Sequence, residues 1–161
     1  MVTVALHRGS GSWDPEVQRH VENPPEKASY TVFIIDDNTM FLYLLGFYLK
    51  RDPRFQIYCY TSGEEAMRNM KLNPDIIILD YYLNAADPDA MNGMAMLLEI
   101  KRQRPEAIVI MLSAQHDLGV SIELLRSGAF TYLQKDKSAL STVRKTLEAI
   151  CGDMSGFEES S

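Results

Sequence analysis

At 161 residues the chain has room for one domain of ordinary size and some excess. Its 46% hydrophobic and 24% charged content excludes disorder throughout the chain. A net charge of −6 and an isoelectric point of about 5.0 argue against the broad electropositive surface that direct binding of nucleic acid requires.

Residues 1–29 show no sustained period and are punctuated by Gly9 to Ser12, Asp14-Pro15 and Pro24-Pro25. They read as an N-terminal extension, flexible or loosely docked, with weak signals for a strand over Val2–Leu6 and a helical turn or two over Pro15–Val21. From Tyr30 the pattern sharpens. Thr31 to Ile35 is an apolar strand, followed by Asp36-Asp37-Asn38 and then a helix. Apolar residues at Phe41, Leu44, Leu45 and Tyr48 follow the i, i+3, i+4, i+7 spacing and predict its buried face. Asp52-Pro53 ends that helix, and Phe55 to Tyr60 reads as the second strand. Thr61 or Ser62 caps a second helix, with Glu64 and Glu65 favoured in its first turn by the helix dipole, and Asn73-Pro74 stops it.

Asp75-Ile-Ile-Ile-Leu-Asp80 is the run around which the rest is arranged. Four aliphatic residues, three of them β-branched, suit a strand buried on both faces of a parallel sheet, with Asp80 at its C-terminal end. A long loop follows to about residue 92, carrying Ala85-Ala86-Asp87-Pro88 and Asn92-Gly93, and a third helix runs from Gly93 or Met94 to Gln103. Ala107 to Leu112 is the fourth strand, ending at Ser113. The fourth helix covers Leu118 to Ser127, with Gly128 as the residue that closes it. Phe130 to Gln134 is the fifth strand, followed at once by Lys135. The last helix, Ser138 to Cys151, buries Leu140, Val143, Leu147 and Ile150, and an acidic tail over 152–161 ends the chain.

Five alternations of strand and helix predict an α/β fold, a five-stranded parallel sheet with helices on both faces joined by right-handed crossovers. Such sheets bind ligands in the crevice outside the C-terminal strand ends. Those ends carry Asp36-Asp37, Asp80, Ser113 and Lys135. Taken singly, each has an ordinary explanation: a helix cap, a loop start, a turn, a solvated lysine. Together they place polar groups on four of five strands at one edge. Three converging carboxylates repel one another unless a cation joins them, and hard oxygen ligands with room for water suit Mg2+. A phosphate is then the expected ligand, Lys135 its countercharge, the Ser113 hydroxyl a donor to it, and Asp80 a candidate nucleophile that forms an aspartyl-phosphate. Elsewhere, Cys59 and Cys151 have no Cys-x-x-Cys partner and read as reduced core thiols of a cytoplasmic protein. His7, His20 and His116 lack metal-ligand spacing, and no apolar run spans a bilayer or forms an export signal.

The acidic pair after the first strand and Asp80 after Ile-Ile-Ile-Leu carry a resemblance, as do Ser113-Ala114, Gly128-Ala129 and Tyr132 three residues before Lys135. Over residues 30–151 the chain resembles the receiver domain of two-component response regulators. The resemblance implies a flavodoxin-like strand order 2-1-3-4-5, which spacing alone does not give. It implies that Asp80 takes a phosphoryl group from a histidine kinase or histidine phosphotransfer protein. Asp37 and Asp80 would hold Mg2+ with the Tyr82 backbone carbonyl, and Asp36 would act mainly through water. Lys135 and Ser113 would hold phosphoryl oxygens while the small Ala114 leaves the acceptor open. Tyr132 would be the aromatic that turns inward as Ser113 moves. Output would pass through the face formed by the fourth helix, fifth strand and fifth helix to a partner protein, unless the chain is a piece of a longer one; its starting Met and acidic tail favour a stand-alone receiver. Arg126, Asp136 and Lys145 lie on that face, where some receivers dimerise, but such charges are ordinarily just solvated, and no homodimer is assigned.

The sequence departs from the family in three places. After Leu83 comes Asn84 rather than Pro, and Gly93 arrives about five residues late, so a stretch near Ala85 to Ala90 is inserted beside the acceptor. Asp136 follows Lys135 where Pro is common. Tyr82, two positions after the acceptor, is bulky enough to slow attack by water. Three other readings remain. A Mg2+-dependent phosphohydrolase similar to the haloacid dehalogenase family needs a second carboxylate where Tyr82 stands. A flavin carrier needs a phosphate-cradling loop where Asp36-Asp37-Asn38 repels phosphate. A constitutive interaction module that has lost phosphorylation has every site residue against it.

Overall fold

The aliphatic runs fold as five strands, β1 (Tyr30–Ile35), β2 (Phe55–Tyr60), β3 (Ile76–Asp80), β4 (Ile108–Ser113) and β5 (Thr131–Gln134). A computed structural model describes residues 29–84, 87, 89–115 and 117–152. The strand expected over Val2–Leu6, the helix over Pro15–Val21, the acidic tail from residue 153 and part of the inserted loop lie outside the described residues. All strand pairs are parallel, in the order β2-β1-β3-β4-β5. The order reverses between β1 and β3, so the crevice lies at their C-terminal ends, beside Asp36 and Asp80.

The period of two along each strand divides the core. Phe33, Ile35, Ile77, Leu79, Val109 and Met111 pack with Ala66, Met96, Leu97, Ile100 and Leu124 from α2 (Gly63–Arg68), α3 (Gly93–Gln103) and α4 (Leu118–Arg126). Val32, Ile34, Ile76, Ile78, Ile110 and Leu112 pack on the other side with Leu42, Leu45, Leu49, Val143 and Leu147 from α1 (Thr39–Leu49) and α5 (Ala139–Cys151). Every residue of β3 is buried. At about 1.5–3 kcal/mol for each fully buried aliphatic side chain, the central strands anchor the edge that carries the polar residues.

The expected face of α1 is corrected by one residue. The buried positions are Leu42, Leu45, Gly46 and Leu49, whereas Leu44 is 52% exposed and Phe41 and Tyr48 are only partly buried. The helix reads Thr-Met-Phe-Leu-Tyr-Leu-Leu-Gly-Phe-Tyr-Leu, apolar nearly all round, so several phases fit the same spacing. Contact with β2 selects among them: a Cβ on Gly46 would lie 2.8 Å from Cys59 Sγ, so only this face brings the helix down on the sheet. The second helix is likewise shorter than expected. It breaks at Asn69, whose side-chain amide donates to the Glu65 carbonyl at 2.9 Å, and continues as a 3₁₀ turn over Met70–Leu72. The other expected breaks hold: Ser62 caps α2, and Gly128 closes α4 at φ 102°.

Candidate functional site

Each acidic residue is placed by the strand that precedes it. Asp36 and Asp37 follow β1, and Asn38 caps α1 by accepting the Phe41 N–H, which turns the chain away sharply after the pair. Asp36 Oδ1 accepts the Asn38 N–H at 3.0 Å. Asp80 ends β3 one strand over. Carboxylate oxygens of Asp36, Asp37 and Asp80 lie within 4.8 Å of one another; Asp36 and Asp80 are buried and Asp37 is exposed. Lys135, one residue beyond β5, reaches across. Its Nζ lies 2.6 Å from Asp36 Oδ2 and 2.9 Å from Asp80 Oδ1, and 5.1 Å from the centroid of the Phe41 ring.

One ammonium does not neutralise this group. Burial pushes the Asp36 carboxyl above its ordinary value, against the hydrogen bond and charge of Lys135, and the Asp80 charge raises it further. Asp80 is raised likewise, first by burial and then by Asp37, while Lys135 and the Tyr82 backbone N–H hold it down. Three hard oxygen donors facing a single ammonium are what a hard divalent cation would satisfy, so the residues fit a metal ion.

Ser113 is fully buried at the end of β4, in register with Gln134, and its carbonyl accepts the Lys135 N–H at 2.7 Å. β4 and β5 thus hold the hydroxyl and the lysine in one register. Tyr132 stands on β5 opposite Met111, and its hydroxyl donates to the backbone carbonyl of Gln115 rather than reaching the carboxylates. Gln115 also receives the Tyr82 hydroxyl on Oε1 at 2.8 Å, and its own N–H donates to Ser113 Oγ at 3.2 Å. Sequence reasoning missed Gln115. It joins the residue two positions after Asp80, the hydroxyl of β4 and the aromatic of β5. The signal available was its position two residues after Ser113; that its amide meets Tyr82, 33 residues away, is a fact of the fold.

The loop after Asp80 returns to the acceptor in spite of its extra residues. A Cβ on Gly93 would lie 2.4 Å from the Asp80 carbonyl oxygen and 2.6 Å from that of Tyr81, so α3 starts against the acceptor's own backbone and no larger residue fits there.

Comparison with known proteins agrees with this arrangement. The family model of the response regulator receiver domain matches residues 32–147. The chain is 30% identical over 128 residues to the transcriptional regulatory protein CssR of Bacillus subtilis, covering 76% of this chain and 53% of that protein. It is 32% identical over 114 residues to a protein-glutamate methylesterase/protein-glutamine glutaminase of Gluconobacter oxydans, covering 68% of this chain and 30% of that one. It thus spans about half or less of the length of these relatives. Among solved structures, the receiver domain of a LuxO repressor protein from Vibrio parahaemolyticus shares the fold with a TM-score of 0.66 at 24% identity, over 75% of this chain and 88% of that one. The response regulator domain of CheB from Thermotoga maritima gives a TM-score of 0.63 at 25% identity, over 76% and 93%. Sheet order, acidic crevice and sequence match converge, and the chain belongs to the response regulator receiver domains of two-component systems.

Proposed function

We propose that Asp80 accepts a phosphoryl group from a histidine kinase or histidine phosphotransfer protein in a Mg2+-dependent reaction, and that the phosphorylated state changes the face formed by α4, β5 and α5 for a downstream partner. The observation that carries this reading is the Asp80 carboxylate, buried at the switch point of the sheet among two further carboxylates and one lysine. An Asp80 oxygen forms a bond to phosphorus as the bond from phosphorus to the donor imidazole nitrogen breaks, and the imidazole keeps the electron pair. Asp36, Asp37 and Asp80, with the Tyr82 carbonyl, would hold Mg2+, which when bound supplies charge neutralisation at the phosphoryl oxygens. Lys135 is already in ion-pair contact with Asp80 and serves as the countercharge to the phosphoryl group. Ser113 is poised to donate its hydroxyl to a phosphoryl oxygen. The same oxygen accepts the Gln115 N–H, which donating does not preclude, so a move of Ser113 toward the phosphoryl group pulls on Gln115, whose carbonyl in turn holds Tyr132. The switch therefore runs from Ser113 through Gln115 to Tyr132. Leu118, Ile122 and Leu125, exposed on α4, give the output face an apolar stripe.

The receiver on this reading occupies residues 30–151, works in the cytoplasm, and has no chemistry beyond gaining and losing its own phosphoryl group. No described helix is long and apolar enough to cross a membrane. The test is the intact mass after incubation with Mg2+ and acetyl phosphate. One added phosphoryl group that requires Mg2+ and disappears in Asp80→Asn is expected. No gain in the parent, with cation binding intact, would give the constitutive interaction module the lead.

A further inference from the structure

The inserted loop is joined to the acidic pocket by three hydrogen bonds in series. The Asn84 backbone N–H donates to Asp37 Oδ2 at 3.1 Å. The Asn84 side-chain amide donates to the Met91 carbonyl at 3.3 Å, and the Met91 N–H donates to Glu64 Oε1, in the first turn of α2, at 2.9 Å. The last of these is strong enough that the Met91 N–H is the main cause holding the Glu64 carboxyl below its ordinary value. Asn84 adopts φ 54°, a left-handed conformation that Asn tolerates. Proline at this position would have neither that φ nor an N–H to give Asp37. Gly93 lies against the backbone of Asp80 and Asn84 against Asp37, so the residues on either side of the insertion both stand on the site.

We propose that Asn84 is a positioning residue for Asp37, and that Met91 and Glu64 carry its hold across the inserted loop to α2, so that the cation affinity of the pocket depends on side chains outside it. This rests on the reading of Asp36, Asp37 and Asp80 as the cation site. Asp37 is the exposed member of the three, and a carboxylate in water rotates unless something holds it. With Oδ2 engaged by the Asn84 amide, the other oxygen is directed by default, and the rotamer entropy of binding is already lost. Hydrogen bonds of this kind to ligating groups carry about 10-fold to 100-fold in metal affinity. Linkage works in both directions: a cation that fixes Asp37 must also steady Asn84 and Met91.

The experiment is calorimetric titration of the whole chain with Mg2+, for the parent, Asn84→Gly, Glu64→Ala and Asp37→Asn, together with amide hydrogen exchange with and without Mg2+. Asn84→Gly keeps the N–H and admits the left-handed φ while it removes the clasp on Met91 and loosens the backbone there; Glu64→Ala removes the far anchor and leaves residue 84 as it is. Each is expected to weaken Mg2+ binding about tenfold; without the cation, Asn84→Gly should unfold close to the parent temperature, and Glu64→Ala slightly below it, since it also removes a carboxylate from the N-terminal turn of α2. Exchange at the Met91 amide is expected to slow when Mg2+ is added to the parent. Parent-like affinity in both loop variants, or a Met91 amide indifferent to Mg2+, overturns the proposal while the cation site stands. A parent that binds no Mg2+, or binds it no better than Asp37→Asn, overturns the cation-site reading and this proposal with it. If Glu64→Ala loosens the fold by itself, Asn84→Gly decides, because it alters no buried contact of α2.

Discussion

Lys135 places one positive charge between two buried carboxylates, and a third carboxylate stands at their edge. Burial raises both Asp36 and Asp80 above 3.8, their ordinary value, so the folded chain binds protons that the unfolded chain has already lost. The sign follows from linkage. The contribution of these two groups to stability is fully present below their unfolded values and is lost as pH rises through the raised folded values, where the ionised pair is a liability. A divalent cation relieves that liability only where the carboxylates are ionised, because ligand and proton compete for the same oxygens. Mg2+ is therefore expected to raise the unfolding temperature near neutral pH, and the increment should shrink as pH falls toward the raised values. Thermal unfolding with and without Mg2+ between about pH 5 and about pH 8 measures this. An increment that is absent near neutral pH, or that grows as pH falls, counts against a cation held by these aspartates.

Among the elements, α1 has the least obvious orientation and the sharpest test. Leu42 is wholly buried against the sheet, and Leu44, two residues on, is 52% exposed. Leu42→Ala is expected to cost about 2–5 kcal/mol, through lost burial and the cavity left behind. Leu44→Ala should stay within about 0.5 kcal/mol, as surface substitutions do. Urea unfolding of the two variants separates the observed face from the one that spacing suggested; equal costs would mean that the helix is rotated from the position described.

For the whole molecule, the same rotation leaves Met40, Tyr43, Leu44 and Phe47 on the outside, an apolar stripe on the helix that begins two residues after Asp37. Isolated exposed apolar residues need no explanation, but four on one short helix do. On the proposed reading of Asp80 as a phosphoryl acceptor, this stripe is where a phosphohistidine protein would rest, and a small-molecule donor has no use for it. Phe47→Ser is thus expected to slow phosphotransfer from the protein donor about tenfold, the loss of an anchor worth about 1.4 kcal/mol, and to leave labelling by acetyl phosphate unchanged. Rates measured side by side with the two donors decide it. A variant slowed equally with both has a damaged site rather than a damaged docking face.

How much of this was legible beforehand varies with the range of the interaction involved. Runs such as Val32 to Ile35 and Ile76 to Leu79, each closed by an Asp and the second opened by Asn73-Pro74-Asp75, specified strands, and the positions of Asp36, Asp37, Asp80, Ser113 and Lys135 at the strand ends followed from the rule that parallel strands share one ligand-binding edge. These are local signals, because burial of a strand on both faces demands aliphatic residues wherever the strand sits. The phase of α1 was not local: its sequence is apolar all round, and the decision lay in Gly46 meeting Cys59 on another strand. The same holds for Gln115 between Tyr82 and Tyr132, and for the line from Asp37 through Asn84 and Met91 to Glu64. The sequence by itself determined which residues reach the reactive edge; only the tertiary structure decided which polar groups hold them there, since a hydrogen bond between residues far apart in the chain leaves no period or spacing to read.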